Sequence, residues 1–238
     1  SLIVFIMVLT FLNLVVVSGI LVGLIEGSIA AWHNQYTSDV IITNLETKDY
    51  IEDSSNIIAI VQSLPEVQYI SARYAKGGTL EANYKTKKAT YKPNVASAQI
   101  IGINPEAEDQ ITGLASHIYE GEYLIPTDYD KVLLGQFLLA QYLPVESPGF
   151  TTLKNVGIGT KIRMKVNGIS REVVVKGILK SKVDNVSMGM YMVDSQVREL
   201  ISRQDNNVSQ IAVKLKDDAD VIFVKNQLLL LLSLQKSN

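Results

Sequence analysis

The chain has two histidines, His33 and His117, and no cysteine. Their separation fits no His-Glu-x-x-His or related zinc spacing. Without thiols, no disulfide, thiol nucleophile or cysteine metal site can form. A Gly-x-x-x-x-Gly-Lys-Ser/Thr loop is missing, so the sequence holds no P-loop for nucleotide phosphates. Gly157-x-Gly159 is a fragment of a dinucleotide fingerprint, but it precedes a strand pattern and reads as a turn. No Gly-x-Ser-x-Gly elbow supports a serine nucleophile. The acidic pairs Glu106/Glu108 and Asp217/Asp218 stand where helices begin and complement the helix dipole there. The reading is a non-enzyme, with no catalytic, cofactor-binding or metal residues.

Other spacings carry packing chemistry. Gly19, Gly23 and Gly27 recur every four residues and leave one helix face without side chains, which lets another membrane helix approach closely. Ile25, Ile29, Trp32 and Tyr36 follow at steps of four, three and four, one apolar stripe on a continuing helix. Trp32 and Tyr36 suit both an interfacial belt and a rigid stalk. Arg73, Lys76, Lys85, Lys87, Lys88 and Lys92 form a basic stretch relieved only by Glu81. It fits a solvated hairpin, or a contact for an acidic partner or lipid headgroup. Asn185-Val186-Ser187 and Asn207-Val208-Ser209 are formal glycosylation sequons, a pattern common by chance.

These residues need elements to hold them. Leu2 to Ile25 carries no charge, and Glu26 ends the run. About two dozen helical residues cover roughly 36 Å, enough for a bilayer core of roughly 30 Å. Signal-peptide cores run only about 7–15 residues, so the Ser28-Ile29-Ala30 cleavage-like triplet does not outweigh an anchor. Lys48 is the only Lys or Arg between the span and Arg73, which puts the large domain outside the cytoplasm. The chain opens on Ser1 and is apolar at once, the look of a fragment. A net charge of −2 gives no reason to expect nucleic acid.

Beyond the anchor, Asp39–Leu45 reads as a strand with Val40, Ile41 and Ile42. Asp53-Ser54-Ser55 then caps a helix closed by Pro65. Val67–Tyr74 is a second strand, giving a split βαβ unit. Arg73–Lys92, with Gly77-Gly78, reads as a long exposed hairpin, and Val95–Ile103 as a strand before a helix begun by Asn104-Pro105-Glu106. Lys131–Leu143 suggests a strand running into a short amphipathic helix. Lys161 to Val175 alternates around Asn167-Gly168, the strongest hairpin signal in the chain. Met190–Val193 reads as a strand and Ser195–Arg203 as a helix. Ile211–Leu215 is a last strand, and Asp217-Asp218 caps a final helix whose Leu228–Leu232 run is too short to span and should lie buried on a sheet.

In order and spacing, these segments resemble FtsX-like ABC transporter permeases with a MacB-type periplasmic core domain. Leu64-Pro65-Glu66-Val67 and Ile101-Gly102-Ile103-Asn104-Pro105-Glu106 are similar to family steps. So are Gly121-Glu122-Tyr123-Leu124 and Val132-Leu133-Leu134-Gly135. Val156-Gly157-Ile158-Gly159 resembles the Val-Gly-Asp turn, with Ile158 where Asp is usual. The resemblance implies an α+β fold in the cytoplasmic membrane: a transmembrane and stalk helix over 1–38, then an extracytoplasmic domain. That domain would comprise a porter-like βαβ subdomain (39–111 and 206–238) interrupted by a β-rich one (112–205). It also implies further spans, a second permease subunit (identical or different), a cytoplasmic ABC ATPase on a separate chain or domain, contact with membrane lipid, and a periplasmic adaptor or lipoprotein. Its work would be to couple ATP hydrolysis to movement outside the membrane, for export or release of a peptide, macrolide or lipoprotein. A single-pass anchored sensor or adhesion domain is the alternative.

Overall fold

The computed structural model describes residues 2–45, 47–86, 93–143 and 151–235. Helix α1 (Leu2–Trp32) buries none of its residues. A helix apolar on every face and exposed along its length needs lipid around it, and α1 is long and apolar enough to cross a bilayer. It runs without a break into a π-helical turn, His33–Thr37, and stops at Ser38.

Strand β1 (Val40–Thr43), helix α2 (Ser54–Gln62) and strand β2 (Val67–Ala82) follow. Both strands pair antiparallel with β9 (Gln210–Leu215): Val40 and Ile70 each face Val213. β1 and β2 are therefore parallel to each other with β9 between them, the expected split βαβ unit. Helix α6 (Val221–Gln235) follows β9. Val61 and Leu64, with Val224 and Leu228 of α6, share one core with Ile211, Val213 and Leu215.

The remaining strands close on themselves. β3 (Asn94–Ile103) leads to α3 (Pro105–Thr112), then come β4 (Ile118–Gly121), β5 (Lys131–Gly135), β6 (Lys161–Val166) and β7 (Ile169–Leu179). After α4 (Asp184–Ser187) come β8 (Gly189–Val193) and α5 (Asp194–Leu200). β2 pairs with β3, β3 with β8, β8 with β5, β5 with β7, β7 with β6, and β6 again with β2. The result is a small barrel, with β4 added outside on β7. Closure removes edges that would otherwise invite pairing with other chains. Leu80, Ile100, Leu134, Ile162, Met164 and Met190 are fully buried in its core. Asn167 and Gly168 turn β6 into β7 with positive φ of 49° and 82°, as the Asn-Gly pair requires.

Several local expectations change. Gly77-Gly78 is not a turn: both lie inside β2, whose residues Tyr74–Ala82 pair with Asn94–Gly102. A Cβ on Gly78 would sit 2.9 Å from the Lys165 carbonyl and against Ile100, so this glycine allows close approach of β6. The Lys131–Leu143 stretch ends in a short 3-10 turn, Gln136–Leu138. Asp53 makes no side-chain cap, and Asn207 Oδ1 accepts the Ser54 N–H instead. Asp220, not Asp217 or Asp218, accepts the first N–H groups of α6. Only one face of α6 is buried, and Leu229 and Leu230 are exposed. The Pro144 and Pro148-Gly149 loop lies outside the described residues.

The adjacent glycines offer a matched test. A Cβ at Gly77 meets nothing within 4 Å. Gly78→Ala should lower unfolding stability by about 1–3 kcal/mol, as overpacking does. Gly77→Ala should leave it level or raise it slightly. Urea denaturation followed by circular dichroism reads both, and equal losses would show that Gly78 is not a contact position.

The buried Asp128 supplies a pH test. It accepts hydrogen bonds from Lys176 Nζ at 2.7 Å and the Ile125 N–H at 3.0 Å, and Lys131 Nζ lies at 2.9 Å. Burial disfavours its charge, yet these donors outweigh burial and hold its pKa below the ordinary value. A depressed carboxylate stabilises the fold above its ordinary pKa and loses that contribution as pH falls through the folded value. The melting-temperature gap between the unsubstituted chain and Asp128→Asn should therefore be widest near neutrality and narrow below about pH 4.

Candidate functional site

Among the described residues, no group of three or more His, Asp or Glu is placed to hold a metal ion. The densest polar chemistry lies instead where α1 enters the domain. Arg73 on β2 is 2% exposed and Glu108 on α3 is 2% exposed. Arg73 Nε donates to Glu108 Oε2 at 2.9 Å, and Nη2 donates to Oε1 at 2.7 Å. Two parallel bonds of this kind match the planar guanidinium to the carboxylate. Ser71 and Thr112 donate hydroxyls to the same carboxylate at 2.8 and 3.2 Å.

The pair also reaches the stalk. Arg73 Nη2 donates to the Tyr36 carbonyl at 2.8 Å, and its guanidinium lies 5.1 Å from the centre of the Tyr36 ring. The Tyr36 hydroxyl accepts from Gln210 Nε2 at 3.3 Å, which ties the same turn to β9. One residue earlier, Gln35 Oε1 accepts from the Ser181 hydroxyl at 2.6 Å and the Lys182 N–H at 3.3 Å, beyond the end of β7. The stalk end is thus fastened both to the split βαβ sheet and to the segment that follows the barrel strand.

Burial shapes the charges here. It opposes the Arg73 cation, but the Glu108 carboxylate overcomes that penalty and holds the guanidinium pKa above its ordinary value. Tyr191, fully enclosed nearby, has its pKa pushed up, mainly by burial, with Glu108 and Tyr36 adding to the rise and Arg73 opposing it. Its phenol stays neutral.

The residues singled out in the sequence fall in two groups. Tyr36 is buried and packs edge-on against Trp32, their ring centres 5.2 Å apart. Ile25, Ile29 and Trp32 are exposed along α1. A Cβ on Gly19, Gly23 or Gly27 would meet nothing within 4 Å, so among the described residues none packs on the glycine face. The described members of the basic stretch do not stand free on one surface. Arg73 is buried, Lys76 pairs with Asp49 at 2.8 Å, and Lys85 pairs with Glu172 at 2.5 Å. Lys87, Lys88 and Lys92 lie outside the described residues.

Glu108 lies in the first turn of α3, as the sequence suggests, but its carboxylate also points inward to Arg73, a pairing that the sequence reading does not contain. A signal for it exists: Glu108, Ile111 and Thr112 share one helix face at i, i+3 and i+4, so a charge sits on the side that must be buried.

An apolar helix long enough to cross a membrane, fastened at its end to a split βαβ unit and a small barrel, defines a membrane-anchored α+β domain. The chain belongs to the family of MacB-like periplasmic core domains, whose profile matches residues 3–229. Its larger domain is therefore extracytoplasmic, carried on one membrane-spanning helix. Among solved structures, it is similar to the periplasmic region of MacB from Actinobacillus actinomycetemcomitans. That match has 19% identity and a TM-score of 0.52, over 83% of this chain and 77% of the other. The extracellular domain of the noncanonic ABC-type transporter YknZ from Gram-positive bacteria matches at 14% identity and a TM-score of 0.48, over 75% and 83%. Among curated proteins, none matches.

Removing one member of the buried pair should be far worse than removing both. Glu108→Gln leaves an uncompensated buried cation and should cost about 3–5 kcal/mol. Arg73→Met combined with Glu108→Leu should cost much less, since apolar replacements of a buried pair are often tolerated. Denaturation of the three proteins in the same detergent decides. A double variant as unstable as the single one would place the pair's value in packing rather than in charge.

Proposed function

We propose that this chain is the first span and extracytoplasmic domain of an ABC transporter permease subunit, and that the joint around Tyr36 carries motion from membrane to domain. The observation that carries this reading is the continuous helix from Leu2 to Thr37, fastened at its end by a buried ion pair. A tether for a sensor or adhesion domain has no use for such a fastening. Family membership supports the transporter class, with a cytoplasmic ATPase supplying the work and a second permease subunit completing the assembly. The glycine face at Gly19, Gly23 and Gly27 is left open for a neighbouring span, and Ile25 and Ile29 for lipid. A peptide, macrolide or lipoprotein is the substrate class, moved outside the membrane. We keep the division into a stalk (1–38), a porter-like part (39–111 and 206–238) and a β-rich part (112–205) as a working scheme. In it, β2 and β3 lend their pairing to the barrel.

Inserting Gly-Gly-Ser-Gly after Ala31 replaces helix with flexible coil just before the joint. The domain should stay folded, because its first strand begins only at Val40, well past the insertion. ATP hydrolysis by the assembled transporter should persist while substrate export falls sharply. Export and hydrolysis measured in the same membranes give the answer. Undiminished export would refute transmission through the helix.

A further inference from the structure

The stalk does not end in a relaxed conformation. Ser38, which closes it, has φ 57° and ψ −154°, a region that residues with a side chain seldom occupy. Its side chain is buried and its hydroxyl oxygen has no hydrogen-bond partner. The turn before it, His33–Thr37, is π-helical, a winding that occurs mostly as single turns, often at functional sites. Two residues back along the chain, the Tyr36 carbonyl takes one arm of Arg73, while Nη1 of the same guanidinium is buried without an acceptor. Two orphaned buried polar atoms, a strained φ and a loosened helix turn thus meet within one short joint.

Opposing contacts hold that joint in place. The Ser38 carbonyl accepts from the Thr37 hydroxyl at 3.1 Å and lies 3.0 Å from His33 Nδ1. Arg73 clamps Tyr36 from the domain side. The strain belongs to Ser38 itself, and the restraint belongs to its neighbours.

We infer that the joint is a two-position device, latched in the arrangement described here. In the second position one residue leaves the π turn, Ser38 relaxes to negative φ, and Arg73 releases the Tyr36 carbonyl. Passing one residue through a helix end turns the helix by about 100° and shifts it by about 1.5 Å. Packed joints move between discrete arrangements rather than bending smoothly, so each position is stiff and the switch between them is abrupt. This deepens the coupling reading above and rests on it only for its use in transport.

The chain lacks cysteine, so paired labels can be placed cleanly. Ser28→Cys on α1 and Lys165→Cys on the exposed side of β6 take spin labels in the full chain, held in lipid nanodiscs. Pulsed electron spin resonance then reads the distance between them. With no further substitution, two distance populations are expected. Ser38→Gly removes both the φ strain and the orphaned hydroxyl, and should shift the ratio several-fold toward the latched distance. Arg73→Lys keeps a cation for Glu108 but loses the forked arm to Tyr36, and should shift the ratio several-fold the other way. Thermal melting checks folding. Where Arg73→Lys fails to fold, His33→Ala, which removes one of the two contacts on the Ser38 carbonyl, takes its place with the same expected direction. One unchanged distance in every variant, or shifts in the same direction, overturns the inference. Opposite shifts alongside undiminished export in the coil-insertion variant would keep the device and sink the transport reading. Lost export with unmoved distances would do the reverse.

Discussion

The structure turns on one buried ion pair. A guanidinium enclosed in protein is tolerable only with a carboxylate at hydrogen-bond distance, and Arg73 has Glu108 on α3. The two groups come from different elements, so meeting that electrostatic demand fixes α3 against β2. The same cation still has donors to place, and one of them finds the Tyr36 carbonyl. A backbone carbonyl near a helix end is free to accept because no later helical N–H claims it. The chemistry of helix termini and that of buried charge therefore satisfy each other at one point, and that point is where the membrane segment meets the domain.

The domain that receives the stalk is built around a shared strand. β2 pairs with β9 through its first half and with β3 through its second. A displacement applied at Arg73 therefore lies on a strand common to the split βαβ sheet and the barrel. Barrel closure through β6 and β7 makes the second half stiff as well. Gln35 adds an independent tie beyond β7 at Ser181 and Lys182. With two attachments to different parts of the domain, any rotation of the stalk would reach the domain as torque and not only as translation.

Much of this was legible in the residues. The uncharged run from Leu2 announces the span, the β-branched Val40-Ile41-Ile42 announces β1, and Asn167-Gly168 marks its hairpin to the residue. These signals are local, and local propensity decided them. The joint was opaque because its logic is not local: Arg73 and Glu108 are 35 positions apart, and nothing near either one names the other. Gly77-Gly78 misled for a related reason. A glycine pair signals a turn unless a neighbouring strand needs the missing side chain, and that strand is β6, far along the chain. Asp53 likewise lost its capping role to Asn207, which arrives from beyond α5. The family resemblance succeeded where single motifs could not, because it reads order over the whole chain.

The placement of β9 between β1 and β2 also governs how the molecule comes into being. Val40 faces Val213, so the sheet of β1, β9 and β2 cannot form until nearly the whole domain has been made. At about 5–20 residues per second, β1 waits roughly 10–30 seconds for its neighbour. Every strand of the barrel precedes β9 in the chain and is made before it. Arg73 and Glu108 are likewise available early, so the charge pair can form while the edges of β1 and β2 remain open. During that interval a newborn chain presents β1 and the first half of β2 without the strand that pairs them. The period of greatest exposure to proteases and to wrong partners is thus written into the order of three strands.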